Sequence, residues 1–212
     1  MPLRKLTGVF SKNQNYPFLL QRPLAQKDLI FIHVPKTGGT SVAAALEFPL
    51  PDPQQKIAKH YTALTIRQFL PPEIWDNAYK FAFVRNPWDR LYSHYQYRKK
   101  RNKLRKGTFQ DLSFAEWVQE NIPEKAPGNL QPQYQWISDE NGVSIVDFIG
   151  RFDRLATDFE RLCHEVDLPI LPLAHLNQSA DRAPYRSVYE QTTLERVSTF
   201  YAQDAVRFGF VY

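Results

Sequence analysis

Residues 29–34, LIFIHV, form a short apolar run broken only by His33, and the chain continues directly into PKTGGTS. The run is bounded by Pro35 and the Gly38-Gly39 pair. This pattern predicts a buried strand of the kind found in parallel sheets. Residues 41–48, SVAAALEF, hold good helix formers and stop before Pro49, with Thr40 or Ser41 as the expected cap. The motif therefore sits at a strand–loop–helix junction. A helix N-terminus offers unpaired N–H donors and a partial positive charge, and two glycines let the backbone approach a ligand closely. Lys36 adds a full charge, and Thr37, Thr40 and Ser41 add hydroxyls. Together they read as an anion site.

The lysine stands before the glycines, whereas G-x-x-x-x-G-K-[ST] puts it after them. No strand ends in an acid suited to hold Mg²⁺ beside the loop; Asp147 is the nearest. A metal-dependent NTPase is thereby disfavoured, and no metal is expected.

The rest of the chain alternates strands and helices. Thr62 is a plausible cap for a helix ending at Pro71-Pro72. Residues 80–85, KFAFVR, predict a second strand. Asn86 is the expected cap of the next helix, with Pro87 at its first position and Asp89 in its first turn. Trp88, Leu91, Tyr92 and Tyr95 give that helix an apolar face. Ser113 and Glu116 have capping-box spacing. Residues 143–149, VSIVDFI, predict a third strand, followed by an amphipathic helix through Leu155, Phe159, Leu162, Cys163 and Val166. Residues 169–172 are a candidate fourth strand. A closing helix is predicted over 192–208, opened by Thr192-x-x-Glu195. The alternation argues for an α/β layer fold with a mainly parallel central sheet flanked by helices.

With 212 residues and no internal repeat, one domain is expected over 28–212, preceded by an N-terminal extension over 1–27. The single cysteine, Cys163, rules out an intramolecular disulfide or a thiolate zinc cluster and suits a reducing compartment. No segment has the apolar core of a signal peptide or approaches the ~20 residues of a membrane span, so a cytoplasmic location is expected. Net charge is +5, yet RKKRNKLRK at 98–106 holds seven basic side chains and no acid. The remainder is slightly acidic, which counts against a general nucleic-acid-binding module. The basic block reads either as a solvated rim or as a surface that steers an anionic partner.

A second motif, FAFVRNPWDRLYSHY, ends a strand with Arg85 and places Ser93 two turns into the following helix. An arginine fork plus a hydroxyl suits a terminal phosphate; an arginine there also serves as a structural ion-pair partner. Taken together, IFIHVPKTGGTSV and FAFVRNPWDRLYSHY resemble the sulfotransferase family 2 group, which includes carbohydrate sulfotransferases and many bacterial relatives. KHYTALTIRQF, VDFIGRFDRL, HLNQS and YAQDAVRFGF extend the resemblance from about residue 28 to the C-terminus.

The resemblance implies a P-loop-like fold adapted to 3′-phosphoadenosine 5′-phosphosulfate (PAPS), in a bacterial protein. Lys36, Thr37, Gly38, Gly39, Thr40 and Ser41 would hold the 5′-phosphosulfate, and Arg85 and Ser93 the 3′-phosphate. Lys36 would also stabilise the leaving phosphate. His60 aligns with the family's catalytic histidine and would act as general base toward an acceptor hydroxyl, expected on a carbohydrate. His33, close to the loop, reads equally as a strand residue. His94 is expected to face away from Ser93. Arg151 and Phe152 read either as nucleotide neighbours or as an ion-pair partner and a core aromatic. Asn177 and Ser179 are implied near the nucleotide. Tyr134 and Trp136 could stack on a sugar or pack the core. The competing readings are a P-loop kinase or NTPase and, behind it, the basic nucleic-acid-binding module. The acceptor and the oligomeric state are not legible.

Overall fold

The computed structural model describes residues 16–23, 26–49, 60–103, 112–122, 128–174 and 183–212. Its sheet has four strands in the order β1 (Leu19–Leu20), β2 (Leu29–Ile32), β3 (Tyr79–Val84) and β4 (Phe148–Arg151). β1 runs antiparallel to β2, while β2, β3 and β4 are parallel, with Phe31 opposite Phe81 and Phe81 opposite Phe148. The molecule is thus an α/β protein built on a small mixed sheet.

All four residues of β2 are buried, and their alternation divides the core. Leu29 and Phe31 pack with Val42 of helix α1 (Gly39–Ala45), with Leu46 at its C-cap and with Phe159 and Leu162 of α7 (Leu155–Glu165). Ile30 and Ile32 pack on the other side, with α2 (Ala63–Phe69), α3 (Pro72–Asn77) and Trp136 of α6 (Tyr134–Ile137). Burial on both faces is why this strand lacks polar alternation. A third cluster joins α4 (Pro87–Lys103), α5 (Phe114–Asn121), α8 (Gln191–Phe200) and α9 (Ala202–Phe208), through Leu91, Tyr95, Trp117, Val197 and Tyr201.

The helix starts follow their caps. Thr62 Oγ1 accepts from Thr65 N at 3.1 Å. Asn86 Oδ1 accepts from Trp88 N at 3.2 Å. Ser113 and Glu116 make both bonds of the capping box. Four expectations are corrected. α1 begins at Gly39 behind a left-handed Gly38 (φ 83°), not behind Thr40 or Ser41. The third strand starts at Phe148, because Asp139 Oδ1 accepts from Val143 N at 2.8 Å and folds 139–143 into a turn. No strand forms at 169–172, where Ile170 is exposed. The closing helix is two helices broken at Tyr201, and Glu195 accepts from the Gln191 side chain instead of capping. Helix α3, begun by Pro72, is an addition: a proline pair that ends one helix also starts the next.

No described helix is long and apolar enough to cross a membrane. His175, Asn177, Ser179 and residues 104–106 of the basic block lie outside the described residues.

Candidate anion site

The loop between β2 and α1 is held through its carbonyls. Thr37 Oγ1 donates to Val34 O at 2.9 Å, Arg90 Nε to Pro35 O at 3.1 Å, and Arg85 Nη1 to Lys36 O at 3.1 Å. In a planar trans peptide the N–H points opposite to the C=O. Fixing the Pro35 and Lys36 carbonyls therefore turns the Lys36 and Thr37 amides to the opposite side. Lys36 itself sits at φ 70°, an uncommon conformation for a residue with a Cβ, held here by the two arginines. Gly39 is required for a different reason: a Cβ there would lie 2.3 Å from the His33 ring.

The loop meets the second motif directly. Arg85, buried at the end of β3, bonds the Lys36 carbonyl, pairs with Asp89 Oδ2 at 2.7 Å and lies 4.0 Å above the Phe152 ring. This arginine is thus an ion-pair partner, and the same side chain touches the loop. Its backbone is fixed as well. Gln133 Oε1 accepts from Arg85 N at 2.8 Å, and Gln133 Nε2 donates to Arg85 O at 2.7 Å. Asp204 in α9, fully buried, accepts from Gln133 N at 2.7 Å and Tyr134 N at 2.9 Å. Burial pushes the Asp204 carboxyl up, and its N–H donors and Arg90 pull it down.

His60 stands beside the loop. Its Nδ1 lies 2.8 Å from the His33 carbonyl, and the two imidazole rings are 4.5 Å apart. A carbonyl can only accept, so Nδ1 carries the proton and Nε2 carries the lone pair. His33 is buried, stacked on Phe31 at 5.0 Å. The Lys36 ammonium lies 4.5 Å from the Tyr97 ring of α4. Ser93 is half-buried in the same helix, one turn past Arg90. Thr37 and Ser41 are buried, and Thr40 is exposed.

Arg151 bonds Asp153 with two nitrogens and the Phe208 carbonyl with a third, so the ion-pair reading holds for it. Trp136 is buried in the core, its ring edge-on to His60 at 6.4 Å, while Tyr134 is half-buried beneath Arg207 at 4.6 Å. Arg98, Lys100 and Arg101 of the basic block are exposed at the far end of α4. Arg90, Tyr97, Gln133 and Asp204 went unmarked in the sequence. Only Arg90, inside RNPWDR, had a local signal.

His94 lies on α4 one turn from Arg90 and one turn from Tyr97, with the Trp117 ring at 6.2 Å. Its imidazole is pushed down from 6.5 to about 3, first by burial and then by Arg90, Arg98, Lys36 and His60. Between these values the unfolded chain binds the extra proton. Stability is therefore complete above about pH 6.5 and falls as pH drops toward 3, by at most about 1.4 kcal/mol per pH unit from this one group. The melting temperature of the wild type is expected to drop more steeply than that of His94→Asn between about pH 6.5 and about pH 4. Parallel curves would remove His94 as the source.

The geometry defines a backbone-and-arginine cradle at the C-terminal edge of an α/β sheet, where such sheets bind ligands. Residues 25–211 match the model of the sulfotransferase family, and the chain belongs to that family. It is also similar to an uncharacterized protein of Archaeoglobus fulgidus, 30% identical over 119 residues that cover 56% of this chain and 92% of that protein.

Proposed function

We propose that this protein moves a sulfuryl group from PAPS to an acceptor hydroxyl, of a carbohydrate, on a P-loop-like layered fold. The observation that carries the reading is the meeting of the two motifs: Arg85 bonds the Lys36 carbonyl at 3.1 Å. The residues fit a phosphosulfate. Gly38 and Gly39 let Leu155, Phe152 and the His33 ring pack directly against the loop backbone, the Lys36 and Thr37 amides point away from the arginines, and Lys36, Arg85 and Arg90 bring positive charge to the loop. In this reading Lys36, Thr37, Gly38, Gly39, Thr40 and Ser41 hold the 5′ end, Thr37 through its amide because its hydroxyl is engaged with Val34. Arg85 and Ser93 hold the 3′-phosphate.

When bound, PAPS supplies the sulfuryl group and leaves as adenosine 3′,5′-bisphosphate. His60 Nε2 takes the proton of the acceptor hydroxyl as its oxygen bonds to sulfur and the sulfur–oxygen bond to phosphate breaks. An imidazole with an ordinary value of ~6.5 suits that role near neutral pH. The Nδ1 bond to the His33 carbonyl orients the ring. Lys36 leaves the Tyr97 face to neutralise charge on the departing phosphate oxygen. The bound geometry itself supplies positioning.

Adenosine 3′,5′-bisphosphate is expected to raise the melting temperature of the wild type in a saturable way. Arg85→Ala should weaken that binding about 10- to 100-fold, the range of a charged hydrogen-bond pair. A wild type indifferent to millimolar bisphosphate but stabilised by ATP with Mg²⁺ would replace this reading with a phosphoryl-transfer one.

A further inference from the structure

Helix α4 presents one stripe to the loop. Arg90 bonds the Pro35 carbonyl, and Tyr97, two turns on, lies under the Lys36 ammonium. His94 falls between them, one turn from each, and shares this face by helical spacing. Its side chain is buried, with the residue 6% exposed, and its Nδ1 meets no hydrogen-bond partner among the described residues. The Trp117 ring of α5 closes the neighbouring side at 6.2 Å.

A buried ring nitrogen without a partner calls for one. The charged and titratable groups facing this ring are Arg90 and Arg98 of its own helix, Lys36 of the loop and His60 ahead of α2. All are cationic or able to become so; burial first, and these charges after it, disfavour a second proton on the imidazole. A neutral imidazole still has one N–H to give. Beside a cluster of cations, the group that fits is an anionic oxygen. A neutral donor can grip it without adding another charge to the cluster, and this differs from the role assigned to Lys36 or Arg85.

We propose that His94 is a substrate-contacting residue whose Nδ1–H donates to an oxygen of the sulfuryl group held at the 33–41 loop. This rests on the sulfotransferase reading above. It adds a neutral contact specific to the group being transferred, as opposed to the nucleotide that carries it.

The test compares two ligands that differ in that group. Binding of PAPS without acceptor, and of adenosine 3′,5′-bisphosphate, is measured by calorimetry on the full chain. For His94→Leu, the dissociation constant for PAPS is expected to rise about tenfold or more, the size of a hydrogen bond to a charged group. That for the bisphosphate should stay within about twofold. His94→Asn, whose amide nitrogen falls near the position of Nδ1, should recover most of the loss. Equal weakening of both ligands, or of neither, overturns the proposal and leaves the sulfotransferase reading standing. A wild type that binds neither ligand removes both. If His94→Leu fails to fold, nitrogen NMR of labelled histidine in the wild type decides. An Nδ1–H signature that appears with PAPS and not with the bisphosphate supports the contact, and identical His94 resonances in the two complexes overturn it.

Discussion

Replacing His60 by alanine is expected to lower sulfuryl transfer about 10²- to 10⁴-fold, the usual contribution of a positioned general base, while bisphosphate affinity stays within about twofold. His60 Nδ1 donates to the His33 carbonyl at 2.8 Å, which leaves the lone pair on Nε2 and fixes the ring against the end of β2. A residue whose task is to accept a proton should change the rate and leave ground-state nucleotide binding alone. The acidic limb of the rate–pH profile should disappear in the variant, since that limb reports protonation of the base. His94 cannot supply the limb, because its own titration lies near 3. Loss of bisphosphate binding in parallel with activity would instead mark His60 as a packing residue, held between His33 and Trp136.

Asp204→Ala should have the largest effect on stability. The carboxylate accepts from Gln133 N and Gln133 Nε2, both buried, and from Tyr134 N, which is part-buried. Its removal leaves the Gln133 and Tyr134 amides unmatched, takes one of two acceptors from Gln133 Nε2, and takes a counter-charge away from the fully buried Arg90, whose guanidinium is pulled down by burial and supported by Asp204. Breaking such a network costs about 3–5 kcal/mol, or on the order of 10 °C in melting temperature for a chain of this size. The damage should also reach the loop, because Gln133 brackets the Arg85 backbone and Arg90 holds the Pro35 carbonyl. Asp204→Asn retains one acceptor oxygen and should lose roughly half as much. Thermal melts of the three proteins check this; an Asp204→Ala variant within a degree or two of wild type would show that the network carries little weight.

Much of the fold follows from local pattern. Leu29–Ile32 is a strand because four consecutive residues are apolar and both sheet faces are covered. α4 begins where Asn-Pro must begin a helix. The errors occur where a side chain from elsewhere overrides local preference. Residues 143–147 look like a strand until the Asp139 carboxylate gathers the Asn141 and Val143 amides into a turn at its start. The α1 cap passes to Gly38 because the preceding loop is already turned by Arg85 and Arg90, and only a left-handed residue continues it. The loop and Arg85 were legible because glycine, lysine and arginine announce their chemistry by type and spacing. Gln133 and Asp204 were not, since each is an ordinary polar residue whose meaning comes from a partner 71 positions away. His94 had no sequence signal separating it from the other histidines; its burial and its neighbours do.

The order of these contacts along the chain has a consequence for biosynthesis. Strands β2 and β3 can pair and collapse as soon as they have been translated, but the bracket on Arg85 closes only when Gln133 meets a carboxylate that is made 71 residues later. Until α9 docks, a nascent chain would carry its lysine and arginines loosely arranged. Under the proposed function, premature capture of nucleotide on the ribosome would thus be disfavoured, and competence to bind would arrive as one of the last events of folding.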